Sequence, residues 1–367
     1  MTARPSSRQR AATGTVAGFV LRLTRESIPL TQTAMAEALG VDLGTVQGRE
    51  SGRRPLANMK AGAFLDLKRR LLALGADHAA LGLLDAAMDA DRIIGAALDP
   101  PEQPDLHPLA EWVHTRDTAH MIAWAVNGNP PPSLRGRSPS RRGPVAAAPL
   151  MAAQDREAFF TNLRGIVESA AAGGDGRALL RRQALYLTSY DRSPEANSWT
   201  AHALHARRGI AAVQGGSPRW AEARSTAAAL ARRGDPVPLL DFIDRAMADD
   251  DAAEAANLNY WAYWMGALRE PQASDRFMAD RALTGWDPVT LLRGLARGFE
   301  ESPGYVDLYA HSLWALLTAH TWLPQASPAL ARSLADRVAR ILDAGVISPR
   351  SRRELGAVHY VLRDHPH

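Results

Sequence analysis

Side chains that can hydrogen-bond to planar polar groups or pair with phosphate are concentrated near the N-terminus of the chain. Gln47 carries an amide that donates and accepts side by side, which matches the edge of an adenine base. Arg49, Arg53 and Arg54 follow it closely, and guanidinium groups pair with phosphate oxygens. This stretch offers non-covalent recognition rather than chemistry that makes or breaks bonds.

A second unusual stretch lies far along the chain, where four aromatic residues occupy five positions. Tyr260 and Tyr263 share one helical stripe, and Trp261 and Trp264 share the next. Such a wide aromatic face can line a pocket for a small molecule or a peptide. It can equally belong to a helix buried on two sides, with its hydroxyl and indole groups bonded internally. Both interpretations stay open at this point.

The chain lacks the residue patterns that would favour catalysis. It contains no cysteine, which excludes disulfides, thiolate zinc sites and a cysteine nucleophile. No phosphate-binding glycine loop and no serine nucleophile elbow is found. The acidic run at 249–251 lacks the spacing of a calcium loop and is expected to begin a helix. We therefore expect no enzymatic activity, no cofactor and no metal.

The formal net charge of +4 is unevenly distributed. Residues 1–60 hold nine basic against four acidic residues, whereas residues 61–127 hold five against ten. A basic end on an otherwise balanced protein is typical of nucleic-acid contact, although a solvated tail gives the same pattern. No run of apolar residues is long enough to cross a membrane, so we expect no membrane partner and a cytoplasmic, nucleoid-associated location.

Helical periodicity dominates the chain and alternating strand patterns are absent, which predicts an all-α fold. Six prolines, three glycines and four arginines between residues 128 and 149 predict a linker. The predicted organisation is a basic tail at 1–14, a compact helical domain at 15–75, two amphipathic helices at 77–98 and 106–126 within a 76–127 segment, the linker at 128–149, and a helical bundle or degenerate helical repeat at 150–367.

Three short helices are predicted in the domain at 15–75. Val16, Phe19, Val20 and Leu23 give the first an apolar face, with Arg22 and Arg25 outside it. Thr31 is suited to cap the second helix and Asp42 the third, and Gly40 can end the second in a left-handed conformation. Met35, Ala38 and Leu39 are expected to be the buried face of the second helix and Val46 that of the third.

Two short helices joined by a glycine turn behind a supporting helix predict a helix-turn-helix. The residues in these positions resemble the Xre/Cro-repressor family in its long actinobacterial form, and the resemblance covers about residues 15–75. It rests on Leu30-Thr31-Gln32, Met35-Ala36-Glu37-Ala38-Leu39-Gly40-Val41, Thr45-Val46-Gln47 and Glu50-Ser51-Gly52-Arg53-Arg54-Pro55. The resemblance implies a transcriptional regulator whose third helix enters the major groove of double-stranded DNA.

The resemblance also implies roles for individual residues. Gln32 would cap the second helix and touch a phosphate, the starting face of the third helix would read bases, and Arg53 and Arg54 would lie over phosphates. The residues expected to contact DNA are Thr31, Gln32, Leu43, Gly44, Thr45, Gln47, Gly48, Arg49, Arg53 and Arg54. Glycine at 44 and 48 leaves few side chains for base contacts, and Arg49 stands where the family has a large apolar residue.

Partners and rival interpretations follow from the same features. Trp112, Val113 and Trp124 form an apolar face that either completes the core of the front half or makes a homodimer surface. Residues 150–367 would sense a small-molecule, peptide or protein partner. The alternative is a helical interaction protein whose helix-turn-helix binds DNA weakly or not at all, an alternative that the two glycines favour.

Overall fold

The computed structural model describes residues 14–134, 150–171, 177–193, 198–199, 202, 218–301, 303–345 and 347–363. Every regular element in these ranges is helical, which confirms the all-α fold. The helices are α1 Thr15–Ser27, α2 Gln32–Leu39, α3 Leu43–Glu50, α4 Ala61–Ala73, α5 His78–Gly82, α6 Leu84–Leu98, α7 Pro108–Glu111, α8 Arg116–Asn127, α9 Ala153–Ala171, α10 Ala178–Thr188, α11 Pro218–Arg232, α12 Val237–Ala246, α13 Asp251–Trp264, α14 Pro288–Glu301, α15 Val306–Ala319, α16 Leu323–Ala326, α17 Pro328–Ala344 and α18 Pro349–Arg363.

The chain divides into two compact units, Met1–Glu168 and Ser169–His367. This division does not coincide with the linker predicted at 128–149, because most of α9 belongs to the first unit. The Asn162 amide on α9 donates to the Ala97 carbonyl at 2.9 Å. The start of the predicted linker is also packed, since Leu134 in a short 3₁₀ turn is buried. Residues 135–149, like the predicted basic tail up to residue 13, lie outside the described residues.

The two long helices predicted at 77–98 and 106–126 are each broken. Leu83 separates α5 from α6, and an extended segment from Trp112 to His114 separates α7 from α8. Thr115 explains the second break, because its side chain caps α8 by accepting from the backbone of Thr118. Val113 and Trp124 are fully buried and Trp112 is partly accessible, so most of the apolar face expected there packs in the core of the first unit.

Helix α1 is the central element of the first unit and packs against α3, α5 and α6. Its buried positions include Val16, Val20 and Leu21, and Phe19 meets the Trp124 ring edge-on at 4.9 Å. Helix α6 supplies Ile93 and Ile94, which are almost completely inaccessible. The packing of α1 against α5 and α6 therefore determines where α3 lies in the first unit.

A buried carboxylate fixes the beginning of α1. Asp91 on α6 is 1% exposed and accepts hydrogen bonds from the backbone amides of Val16 and Ala17, both at 2.9 Å. Gly14 stands at the N-cap of α1 and has no side chain to satisfy these amides, so Asp91 satisfies them from 75 residues away. Burial raises the pKa of Asp91 to about 7, although the two amide hydrogen bonds oppose this rise.

The second unit is built from helices that pack mainly on their neighbours in sequence, such as α11 on α12, α14 on α15 and α17 on α18. Its apolar side chains form one continuous core that runs from Trp220 to Leu362. The described helices agree with the predicted spans within a few residues, and α16 is an additional short helix. The helix predicted at 195–213 falls largely outside the described residues. No described helix combines the length and apolar character that a membrane crossing requires.

Replacing Asp91 with asparagine should destabilise α1 by about 1–3 kcal/mol, because an amide cannot accept both backbone hydrogen bonds. The wild-type contribution should also decline as pH rises from about 4 to about 7, since the folded chain keeps a proton that the unfolded chain has released. Hydrogen exchange of α1 peptides across this range measures both effects. Asp85→Asn on the exposed side of α6 is the matched control, and an equal effect there would contradict the capping role.

Candidate nucleic-acid interface

Two eight-residue helices, α2 and α3, are joined by a three-residue turn. Thr31 caps α2 by accepting from the Ala34 amide at 3.1 Å. Gly40 ends α2 with φ 64°, a left-handed conformation that glycine adopts without the steric cost of a side chain. Asp42 caps α3 by accepting from the Thr45 amide at 2.7 Å. The caps and the turn residue are those that the sequence predicts.

The outer face of α3 is not covered by any part of the chain that the structure describes. Leu43 is 38% exposed, and Gly44 and Gln47 are exposed beside it. Val46 points inward and is 1% exposed. Leu43 and Gln47 lie four positions apart, so one turn of α3 presents an apolar and an amide side chain on the same side.

Gly48 does not belong to this outer face, which corrects the prediction that it contacts DNA. It is buried because the chain folds back after α3, and the Arg54 amide donates to the Gly48 carbonyl at 2.9 Å. The side-chain stem of Arg54 lies over Gly48, so an added Cβ would stand 3.0 Å from Arg54 Cδ. Glycine at 48 therefore makes room for an arginine, a role that the helical pattern alone does not reveal.

Arg54 is held in place by a chain of polar contacts along α3. Its Nη1 donates to the Thr45 hydroxyl at 2.6 Å, and that hydroxyl donates to the Asp42 carboxylate at 2.5 Å. The hydrogen bonds from Thr45, together with the charge of Arg54, hold the pKa of Asp42 below its ordinary value. Thr45 is thus engaged within the molecule, while Arg54 keeps an exposed, fixed guanidinium.

A buried ion pair attaches the inner side of α3 to α1. Arg25 Nε donates to Glu50 at 2.6 Å and Nη2 donates to its other carboxylate oxygen at 3.1 Å, while Nη1 donates to the Leu30 carbonyl at 2.8 Å. The expectation that Arg25 faces outward is wrong, because Glu50 provides a buried partner for it. Burial lowers the pKa of Arg25, but Glu50 and Glu26 together outweigh burial and the net shift is upward.

Gln32 joins this pair and does not cap α2. Its Nε2 donates to Glu50 at 2.7 Å, so the amide links α2 to the same carboxylate that links α3 to α1. The prediction that Gln32 caps the helix is corrected, since Thr31 is the cap. Gln32 also lines an open cleft of about 560 Å³ that includes Arg22, Leu43 and Gln47.

Helices α1 and α3 approach each other so closely that only a hydrogen fits between them at Gly18. A Cβ at this position would stand 2.5 Å from the Arg49 carbonyl oxygen and 2.8 Å from that of Glu50. Both atoms are backbone and cannot move without shifting α3. No pattern in the sequence singles out Gly18.

The prediction that Ala38 belongs to the buried face of α2 is wrong, because Ala36 is buried and Ala38 is exposed.

Basic side chains accompany the outer face. Arg53 is exposed, and its one hydrogen bond within the described residues is a donation to the nearby Ser51 hydroxyl at 3.2 Å. Arg49 is half-buried, and burial followed by the positive charge of Arg54 lowers its pKa. Cations this close repel each other, and an anion between them would relieve the repulsion. The arrangement therefore suits contact with a negatively charged surface.

The aromatic residues predicted as a pocket lie in the second unit and are mostly buried. Tyr260, Trp261 and Tyr263 are inaccessible, and Trp264 is partly accessible. The Trp261 indole donates to the Ser312 hydroxyl at 2.9 Å, as the internally bonded alternative requires. Tyr260 and Trp261 belong to the core of the second unit, and Trp264 packs against that core.

No family model, curated protein or solved structure matches this chain. The described ranges contain no group of three or more histidine, aspartate or glutamate side chains that could hold a metal ion. The chemistry of the outer face of α3 must therefore be judged from its own residues.

Loss of either partner of the Arg25–Glu50 pair should destabilise the α1–α3 assembly by about 3–5 kcal/mol, because the remaining charge is left buried. Arg25→Ala and Glu50→Ala test this through hydrogen exchange of α1–α3 peptides. Replacing both with apolar residues, Arg25→Met with Glu50→Leu, should restore most of the loss. The exposed pair Arg69–Asp66 is the control, and Arg69→Ala should change stability by less than about 1 kcal/mol.

Gly18→Ala should destabilise the same assembly by about 1–3 kcal/mol, because the added methyl group overlaps backbone atoms of α3. Gly62→Ala on α4 is the matched control, since a Cβ there meets nothing within 4 Å. It should stabilise α4 by up to about 1 kcal/mol through helix propensity. Thermal unfolding of the two variants gives the comparison, and equal midpoints would contradict the close packing at Gly18.

Proposed function

We propose that this protein is a DNA-binding transcriptional regulator in which α2 and α3 form a helix-turn-helix and α3 enters the major groove. The observation that carries the proposal is the exposed outer face of α3 at Leu43, Gly44 and Gln47, behind which the Arg25–Glu50 pair fixes the helix. A recognition helix needs this combination, because base contacts are productive only when the helix is already oriented.

Different side chains would contact the DNA bases and the DNA phosphates. Gln47 would form two hydrogen bonds to an adenine, and Leu43 would pack on a thymine methyl group one helical turn away. Arg53 and Arg54 would pair with phosphates, as would the half-buried Arg49. Because the direct contacts are few, the preferred site would be short and rich in A·T pairs, with DNA shape supplying further discrimination.

The rest of the chain would serve this activity. We propose a homodimer that reads two half-sites, because helix-turn-helix regulators commonly bind DNA as two-fold dimers. The second unit would sense a ligand or a protein partner. A regulator of this kind would work in the cytoplasm, on the nucleoid.

In vitro selection of random duplexes by the full chain tests the proposal. A shared short motif should be enriched, and its affinity should fall steeply with salt concentration as counterions are released. Without enrichment, and with no binding at low salt, the proposal would be wrong and an interaction protein would be the better account. Binding without sequence preference would support the phosphate contacts and contradict the proposed base contacts.

Arg53→Ala and Gln47→Ala should have different consequences for DNA binding. Arg53→Ala should weaken all sequences alike and reduce the slope of log K against log salt by about 0.9. Gln47→Ala should cost about 1–3 kcal/mol on the selected site only. Fluorescence anisotropy with the selected and a scrambled duplex measures both changes.

The exposed Arg332 on α17 provides the charge-matched control, and Arg332→Ala should leave both the affinity and the salt slope unchanged. An equal loss for Arg332→Ala and Arg53→Ala would show that overall charge, and not the face of α3, determines binding. Since Gln47 and Arg53 are exposed, neither substitution should affect folding.

A further inference from the structure

Three arginines from two adjacent helices lie in the second unit with their guanidinium groups against aromatic rings, two of them buried and Arg232 partly buried. Arg182 lies on α10, and Arg224 and Arg232 lie on α11. Their guanidinium groups stack on aromatic rings, with Arg224 4.0 Å from the centre of Tyr260 and 4.8 Å from that of Trp261. The predicted aromatic stretch on α13 thus forms part of the environment of a buried cation.

Two of these arginines have their charges or donors satisfied. Arg182 forms a two-pronged ion pair with Asp275 at 2.6 and 3.2 Å. Arg232 donates to the hydroxyls of Tyr305 at 3.0 Å and Ser189 at 2.7 Å, and its third donor reaches Tyr186. In both cases the guanidinium donors are directed at oxygen atoms of the protein.

Arg224 differs from both in having a donor that no atom of the described chain satisfies, and, like Arg232, it has no carboxylate among its interactions within the described chain. It is 3% exposed, and its Nε donates to the Asn257 side-chain oxygen at 2.9 Å. Its Nη2 is buried without a hydrogen-bond partner. Burial, with the nearby charge of Arg182 as a further contribution, lowers the pKa of Arg224 to about 10, so the group remains charged at neutral pH.

A buried charge without a counter-charge normally costs several kcal/mol, and natural cores avoid it. The faces of Tyr260 and Trp261 offset part of this cost through cation–π contact, but they do not satisfy the Nη2 donor. A carboxylate or phosphoryl group is the natural partner for both the charge and the donor.

We propose that Arg224 is the anchor of a ligand site in the second unit, which binds a small organic anion through one carboxylate or phosphoryl group. Tyr260 and Trp261 would flank the bound group. Asp275 would neutralise the charge of the nearby Arg182, which leaves Arg224 as the cation that attracts the anion. The site would exist whatever the first unit binds, so it is tested without DNA.

Hydrogen exchange of the full chain is measured with sodium succinate, with sodium phosphate and with sodium chloride at equal ionic strength. At ten times the dissociation constant, exchange in α11 and α13 should slow by about tenfold relative to chloride. Exchange in α1–α8 should stay the same and serves as the internal control. Slowing by succinate alone or by phosphate alone would identify which of the two groups the ligand carries.

Arg224→Gln should abolish the anion effect, and the exposed Arg219→Gln on the same helix should retain it. If Arg224→Gln does not fold, Arg224→Lys keeps the charge while losing the forked donors, and the affinity for the anion should fall by roughly tenfold or more. Equal slowing in both units, or no difference from chloride, would overturn the proposal, because it would reflect general salt effects only.

Discussion

The buried contact between Arg25 and Glu50 is the constraint on which the candidate interface depends. It connects α1 to α3, and Gln32 extends it to α2, so three helices meet at one carboxylate. Such a contact is stable only when both charges are paired and their remaining donors are satisfied, as they are here through the Leu30 carbonyl. The inner face of α3 takes part in this network, and this orients the opposite face of the helix outward.

The short helices and their caps could be predicted from sequence because they depend on local chemistry. Thr31, Gly40 and Asp42 act through residues no more than five positions away, and such signals are readable in a linear pattern. The all-α fold and most helix bounds follow from periodicity for the same reason. The extended segment at 112–114 was not predicted, because a threonine such as Thr115 also fits inside a helix and only the folded chain shows that its side chain caps α8.

What sequence could not predict depends on partners distant along the chain. Asp91 and Arg25 are ordinary charged residues until the folded chain brings amides or a carboxylate to them. One signal was present, because Asp91 lies on the apolar face of its helix between Ala90 and Ile94, where a charge requires a buried partner. No comparable signal marked Gly18 or Gly48, because a glycine in the sequence does not indicate which atoms occupy the space beside it.

The two units use buried charge in different ways. In the first, each of the buried charges discussed above is satisfied within the fold, which gives α3 a fixed orientation. In the second, Arg224 stays charged among aromatic rings with one donor unsatisfied, as a site that awaits an anion would require. An oriented α3 and an incomplete polar core together support the proposed regulator, whose first unit would bind DNA and whose second unit would bind a small molecule.

Site-specific photocrosslinking to a duplex shows whether α3 contacts the DNA. A photoreactive amino acid is placed at Leu43 on α3 or, for comparison, at the exposed Tyr360 on α18, and each protein is irradiated with the selected DNA. We expect a covalent protein–DNA product from position 43 and none from position 360. Crosslinking from position 360 alone, or equal yields from both positions, would contradict it.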